Sequence, residues 1–189
     1  MTETSRREQI LATAADLFAA RGFHGVSVAD LGAAVGISGP ALYKHFPSKQ
    51  AMLAEMLTSI SELLLEVGQQ RVDAGLGEPA AALRGLVDWH LEFALAHRPL
   101  IVVQDRDWES LPEDARAQVR RLQRAYIDLW ADQLRALRPE LDGGAAHAAV
   151  QAAFGLINST PRAGHAVPDR VLRDLLNSMA LAALGVPAA

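Results

Sequence analysis

The chain has 189 residues, half of them hydrophobic but only 5% aromatic, with a net charge of −4 and no cysteine. That length admits two compact units. The lack of cysteine excludes disulfides and thiolate metal sites and fits the reducing cytoplasm, where the protein is expected. Net acidity argues against a protein that coats nucleic acid indiscriminately, although residues 1–50 carry five basic and four acidic side chains against thirteen and eighteen in the remainder.

Abundant Ala and Leu with few β-branched residues favour packed helices over sheets. The N-terminal "MTETSRREQI" has no apolar signal core, and no apolar run approaches the ~20 residues that span a bilayer, so neither export nor a membrane is expected.

In chain order, Ser5 and Glu8 form a capping box ahead of Ile10, Ala14, Leu17 and Phe18 at helical spacing, predicting a first helix from Ser5 to Arg21 that stops at Gly22. Ser27 caps a second helix over 28–35, ended by Gly36. Ser38 caps a very short third one, with Pro40 tolerated in its first turn because N–H groups there lack intrahelical partners. Pro47 and Ser48 stop it and start a long amphipathic helix reaching about Arg71. The "GLGEP" stretch at 75–79 is the clearest break. Beyond it the pattern predicts helices near 80–97, 99–107, 113–138, 145–160 and 169–184, with a loop at 139–144 and a Pro/Gly connection at 161–168. That is an all-α chain of about nine helices, with a small head at 1–50 and a larger body at 51–189.

The second and third helices, joined by a tight Gly36-Ile37-Ser38 turn, have the form of a helix-turn-helix. Ser38, Gly39, Pro40 and Ala41 are small enough to let backbone approach base edges. Tyr43, Lys44 and His45 offer donors to flanking phosphates, and Lys49 adds a cation at a helix N-terminus. The stretch "ILATAADLFAARGFHGVSVADLGAAVGISGPALYKHFPSKQAML" resembles the N-terminal domain of the TetR family of bacterial transcriptional regulators. The resemblance covers about a quarter of the chain. It implies a helix-turn-helix DNA-binding domain, a helical ligand-binding domain and a homodimer formed through the last two helices. Carried over by position, it implies phosphate contacts from Ser27, Tyr43, His45 and Lys49, and base reading by Ser38, Gly39, Pro40, Ala41 and Lys44. Gly39 and Ala41 have no side-chain donors, which leaves direct readout to Lys44, close backbone approach and contact with thymine methyls.

In the body, Trp89 and Phe93 lie one turn apart, as do Tyr126 and Trp130; Trp108 and Phe154 complete the set. The resemblance places such helices around a ligand cavity. Taken singly, each aromatic has core filling as its simpler role; together they suggest an apolar pocket with His90, Gln104, Arg106 and Asn158 as polar candidates. Six basic residues between Arg98 and Arg124 suggest an effector with an apolar tail and an anionic head, such as an acyl-coenzyme A or a fatty acid, with a planar drug as the rival. His90 and His97 are two turns apart, about 10 Å, too far for one metal ion, and no cofactor is expected. Alanines 145, 148, 149, 152 and 153 give one helix a small-residue surface. Leu172, Leu175, Leu176, Met179 and Leu184 form an apolar stripe on the last helix that wants a partner.

No G-x-S-x-G, P-loop, dinucleotide fingerprint, H-E-x-x-H or cysteine nucleophile is present, so an enzyme is not expected. The reading is a repressor that binds a palindromic double-stranded operator as a dimer and is released by a small apolar or amphipathic effector. The alternative is a DNA-binding regulator controlled by a protein partner, or by no effector.

Overall fold

Helix α1 (Glu3–Arg21) places Ile10, Ala14 and Phe18 four residues apart on one buried stripe and ends at Gly22, whose φ of 81° is left-handed. A computed structural model describes residues 3–163 and 167–187, with side chains from Arg6 onward. The capping box expected at Ser5 therefore lies outside the described side chains, and the helix itself begins two residues earlier. Helix α2 (Val28–Val35) starts as expected. The Ser27 side chain accepts from the Asp30 N–H while the Asp30 carboxylate accepts from the Ser27 N–H. It ends at left-handed Gly36 with paired bonds from Gly36 N to Ala33 O (3.2 Å) and from Ile37 N to Gly32 O (2.9 Å). Helix α3 (Gly39–Tyr43) is a single turn capped by Ser38, and α4 (Lys49–Ala74) is capped by Ser48, whose hydroxyl accepts from Ala51 N.

The break at 75–79 holds two positive-φ residues, Leu76 at 52° and Gly77 at 82°, before α5 (Pro79–Ala96). Then come α6 (Arg98–Asp107), a 3-10 turn over Trp108–Ser110, α7 (Glu113–Leu137), α8 (Gly143–Ile157), α9 (Thr160–Ala163) and α10 (Asp169–Leu184). The nine expected helices are thus joined by one more, the single turn α9, inside the connection predicted as irregular; residues 164–166 of that connection lie outside the described set. Among the described residues there is no strand, and no helix is long and apolar enough to cross a membrane.

The chain groups into two compact units, Met1–Ile60 with Pro99–Val119, and Ser61–Arg98 with Arg120–Ala189. The helix-turn-helix therefore shares its unit with most of α6 and the start of α7, and all three boundaries with the second unit fall inside helices. The core of the first unit joins Ile10, Phe18, Phe23, Leu31, Leu42, Phe46, Leu53 and Leu57 to Val103, Leu111 and Val119. Each such large apolar side chain contributes about 1.5–3 kcal/mol by leaving water. In the second unit α10 packs on both α5 and α8. Helix α8 buries Ala146, Val150, Ala153 and Ile157, a helical stripe of mostly small residues that lets neighbours come close.

Candidate operator-binding and effector sites

The head presents α3 by fixing the ends of the helices around it. Four cations do this by donating to backbone carbonyls at helix C-termini and in the turns beyond them, where carbonyls lack intrahelical partners. Arg6 Nη2 donates to Val35 O at the end of α2 (2.5 Å). Arg7 donates to His45 O just beyond α3, pairs with Glu55 and covers the Phe46 ring at 4.1 Å. Lys49 Nζ donates to Phe23 O (2.6 Å) and Val26 O (2.7 Å) and sits 4.2 Å from the centre of the Phe23 ring. Arg106 donates to Phe18 O and Ala19 O at the end of α1, while the buried Asp107 carboxylate accepts from Phe23 N at 3.2 Å.

The expected DNA-contacting residues fall together on this scaffold. Ser27, Ser38, Pro40, Tyr43 and Lys44 are exposed, Gly39, Ala41, His45 and Lys49 half-buried. Ser27 and Ser38 are occupied as caps, and both residues are exposed. Carbonyls take two of the three Lys49 ammonium hydrogens, which leaves one. Of the five basic residues in 1–50, four engage groups of the head, counting the 3.8 Å pair of Arg21 with Asp30. Lys44 alone, among the described residues, has no such side-chain partner.

In the second unit, four of the expected effector residues meet, three of them stacked and Trp130 edge-on to each. The Phe154 ring, half-buried, lies 4.5 Å from His90, 5.5 Å from Tyr126 and 4.9 Å from Trp130, centre to centre. His90, Tyr126 and Trp130 are themselves 5.7–6.0 Å apart. Phe93 joins at 6.0 Å from His90, and Asn158 closes the set, its Oδ1 3.2 Å from His90 Nε2. With that oxygen facing Nε2 the imidazole proton sits there, and Nδ1 is left as an acceptor.

Burial holds the His90 pKa down to about 4, against a smaller opposing effect of Asn158, so the ring is neutral. The same burial pushes the Tyr126 hydroxyl upward, offset in part by the nearby Trp130 N–H. That pair still falls short of hydrogen-bond geometry. His90 Nδ1, the Tyr126 hydroxyl and Trp130 Nε1 are all buried with no hydrogen-bond partner.

The remaining effector candidates are elsewhere. Trp89 turns to the Leu64 carbonyl (3.3 Å) and packs α5 against α4. Gln104, Arg106 and Trp108 belong to the first unit; Arg106 is committed to α1, and Trp108 packs on the apolar core. Of the six basic residues from Arg98 to Arg124, Arg98 pairs with Asp169 at 2.6 Å and Arg116 with Glu109 and Glu113. Sequence reasoning missed Gly68, where an added Cβ would stand 2.6 Å from Tyr126 Cε2; a lone glycine inside a long amphipathic helix was the available signal. It also missed Arg6 and Arg7, whose spacing carries no sign of the carbonyls they reach.

The apolar stripe on α10 divides. Leu172, Leu176 and Leu184 are buried within the unit, whereas Val171, Leu175 and Met179 are 43%, 52% and 44% exposed, alongside exposed Ala145, Ala148 and Ala152 of α8.

Residues 10–56 match the profile of bacterial regulatory proteins of the tetR family, and residues 76–162 match that of a tetracyclin repressor-like C-terminal domain. The chain is 32% identical over 148 residues to the HTH-type transcriptional repressor KstR2 of Mycolicibacterium smegmatis, covering 73% of this chain and 70% of that one. Against the repressor of the same name from Rhodococcus jostii it is 30% identical over 135 residues, 71% of this chain and 66% of the other.

Among solved structures, a TetR-family regulator from Bordetella parapertussis superposes with a TM-score of 0.82 at 32% identity, covering 97% of this chain and 98% of that one. AibR, solved with isovaleryl coenzyme A and operator DNA, superposes at 0.75 with 19% identity over 92% and 97% of the chains, a likeness of fold. The chain belongs to the TetR family of bacterial regulatory proteins and is a transcriptional repressor of that family, not an enzyme.

Proposed function

We propose that this repressor binds a palindromic operator as a homodimer joined through α8 and α10, and that a small apolar or amphipathic effector held among His90, Phe93, Tyr126, Trp130, Phe154 and Asn158 releases it. The observation that carries the effector reading is the trio of buried, unpartnered polar atoms inside an otherwise apolar cluster. Each unpaired group costs about 1–3 kcal/mol, a penalty that a filled core would avoid and that an occupant with matching groups removes. The unpartnered Val171, Leu175 and Met179 surface supports the dimer. Ser27, Ser38, Gly39, Pro40, Ala41, Tyr43, Lys44, His45 and Lys49 would contact the operator. An acyl-coenzyme A is the first effector to test, given AibR.

The effector can act only through its different affinities for the operator-bound and released states. The test selects a duplex from a random library with the purified protein and follows its binding by fluorescence anisotropy. Acyl-coenzyme A esters of graded chain length are then added. Release from the wild type but not from Trp130→Ala, with operator affinity otherwise kept, is the expected outcome. Operator binding that no ester alters would favour the second reading, a regulator without this effector class. That reading has its own support, since Trp130 is 0% and Tyr126 3% exposed, rings packed as core.

A further inference from the structure

We infer that the aromatic cluster of the second unit recognises a neutral oxygen on a flat apolar body, a carbonyl or hydroxyl, and rejects a carboxylate. The inference rests on the effector reading above and specifies the chemistry of that same site.

The three unpartnered atoms are of two kinds. The Tyr126 O–H and the Trp130 N–H are donors, and His90 Nδ1 is an acceptor because Asn158 fixes the proton on Nε2. A carbonyl oxygen has two lone pairs and takes both donors. A hydroxyl takes a donor and returns its own proton to His90.

A carboxylate fares worse. The cluster's own buried groups, the Tyr126 O–H, the Trp130 N–H and the neutral His90, carry no positive charge, so an anion would lose its hydration with only neutral donors in return. The three basic residues held by acids or by α1, Arg98, Arg106 and Arg116, are not free to supply that charge.

Shape follows from Phe154. Its ring is parallel to His90 within 4° and edge-on to Trp130 at 89°, and it touches all three polar rings while remaining the half-buried member of the four. A flat ligand lying beside it or in its place would meet the same three rings. An acyl thioester carries such a carbonyl next to an apolar chain; an ionised fatty acid does not.

Four probes of one shape separate the possibilities: 2-acetonaphthone, 2-naphthol, naphthalene and 2-naphthoate. They are titrated against the full-length protein by calorimetry, with thermal shift as a second readout. Acetonaphthone and naphthol should bind about tenfold or more tightly than naphthalene, the worth of one buried hydrogen bond, and naphthoate should bind least. Tyr126→Phe, which keeps the ring but removes one of the two donors, should weaken acetonaphthone several-fold and leave naphthalene unchanged; a merely structural tyrosine would weaken all four alike. Trp130→Phe provides the second variant.

Equal binding of naphthalene and acetonaphthone would overturn the inference and leave the effector site standing. Preference for naphthoate would overturn it in favour of an anion site. Failure of all four to bind would remove the pocket and the effector reading with it.

Discussion

His90 couples the pH of the medium to the stability of the second unit. Its pKa is about 4 in the folded protein and 6.5 in an unfolded chain, so the unfolded state binds the proton more readily. The stabilisation is fully present above pH 6.5 and is lost as pH falls toward 4, amounting to about 3 kcal/mol by linkage. Urea unfolding between pH 7 and 4 should show this decline in the wild type and a shallower one in His90→Gln. His147 has the opposite sign. Both of its ring nitrogens face oxygen acceptors, Gly143 O and Asp128 Oδ1 at 2.7 Å each, which raises its pKa, so its smaller contribution is lost as pH rises.

Tyr126 makes a sharper test. A buried hydroxyl without a partner costs stability, so Tyr126→Phe should raise Tm of the free protein, by roughly 2–4 °C for each kcal/mol recovered at this size. A lower Tm would mean that the hydroxyl is satisfied. The two lysines of the head should separate in the same way. Lys49→Met removes two charge-assisted bonds and should cost about 1–3 kcal/mol in urea unfolding as well as weakening operator binding. Lys44→Met should leave stability within about 0.5 kcal/mol and weaken operator binding only.

At the scale of elements, the helix-turn-helix depends on how closely α2 meets the turn that follows it. A Cβ on Gly32 would stand 2.6 Å from the carbonyl oxygen of Ile37, a backbone atom held by the turn. Gly32→Ala should therefore abolish operator binding and lower the melting temperature of the head, as circular dichroism and anisotropy would report; an unaffected variant would mean that the turn yields. The ends of α2 and α3 were legible in the sequence because caps and left-handed glycines act within four residues: Ser27, Gly36 and Ser38 each do what their type dictates. Helix α9 was not, since a four-residue turn around Pro161 leaves no periodic signal. It is held instead by a distant contact, Thr160 Oγ1 to Ala94 O at 2.9 Å. The effector candidates divided for the same reason. Helical spacing placed His90, Tyr126, Trp130 and Phe154 on inward faces, but nothing local told that Arg106 reaches back 88 residues to the end of α1.

For the whole molecule, the proposed dimer rests on side chains that the apolar pattern alone did not sort. Leu176, 4% exposed, belongs to the core of its own unit, so Leu176→Asp would unfold the unit rather than dissociate subunits. Leu175→Asp and Met179→Asp, at exposed positions, should leave each subunit folded and raise the dimer dissociation constant at least a hundredfold, about 3 kcal/mol. Light scattering would read this as a monomer with unchanged helicity; a wild-type monomer would remove the proposal. Operator half-sites should then lie about 34–36 Å apart, one turn of the double helix.

The use of cations to hold helix ends has a consequence for the search along a chromosome. Lys44 is the one basic side chain of residues 1–50 that, among the described residues, engages no group of the head. Bonds to neutral carbonyls leave Arg6 and Lys49 charged but fix where those charges sit, so few of them can follow the phosphates of an arbitrary duplex, and affinity for random sequence is expected to be low at cellular ionic strength. A genome offers about 10⁶–10⁹ competing sites, and a repressor that lingers on few of them needs only a small number of copies to keep its operator filled. Cations tied to helix ends would then be a means of keeping the protein available for its operator.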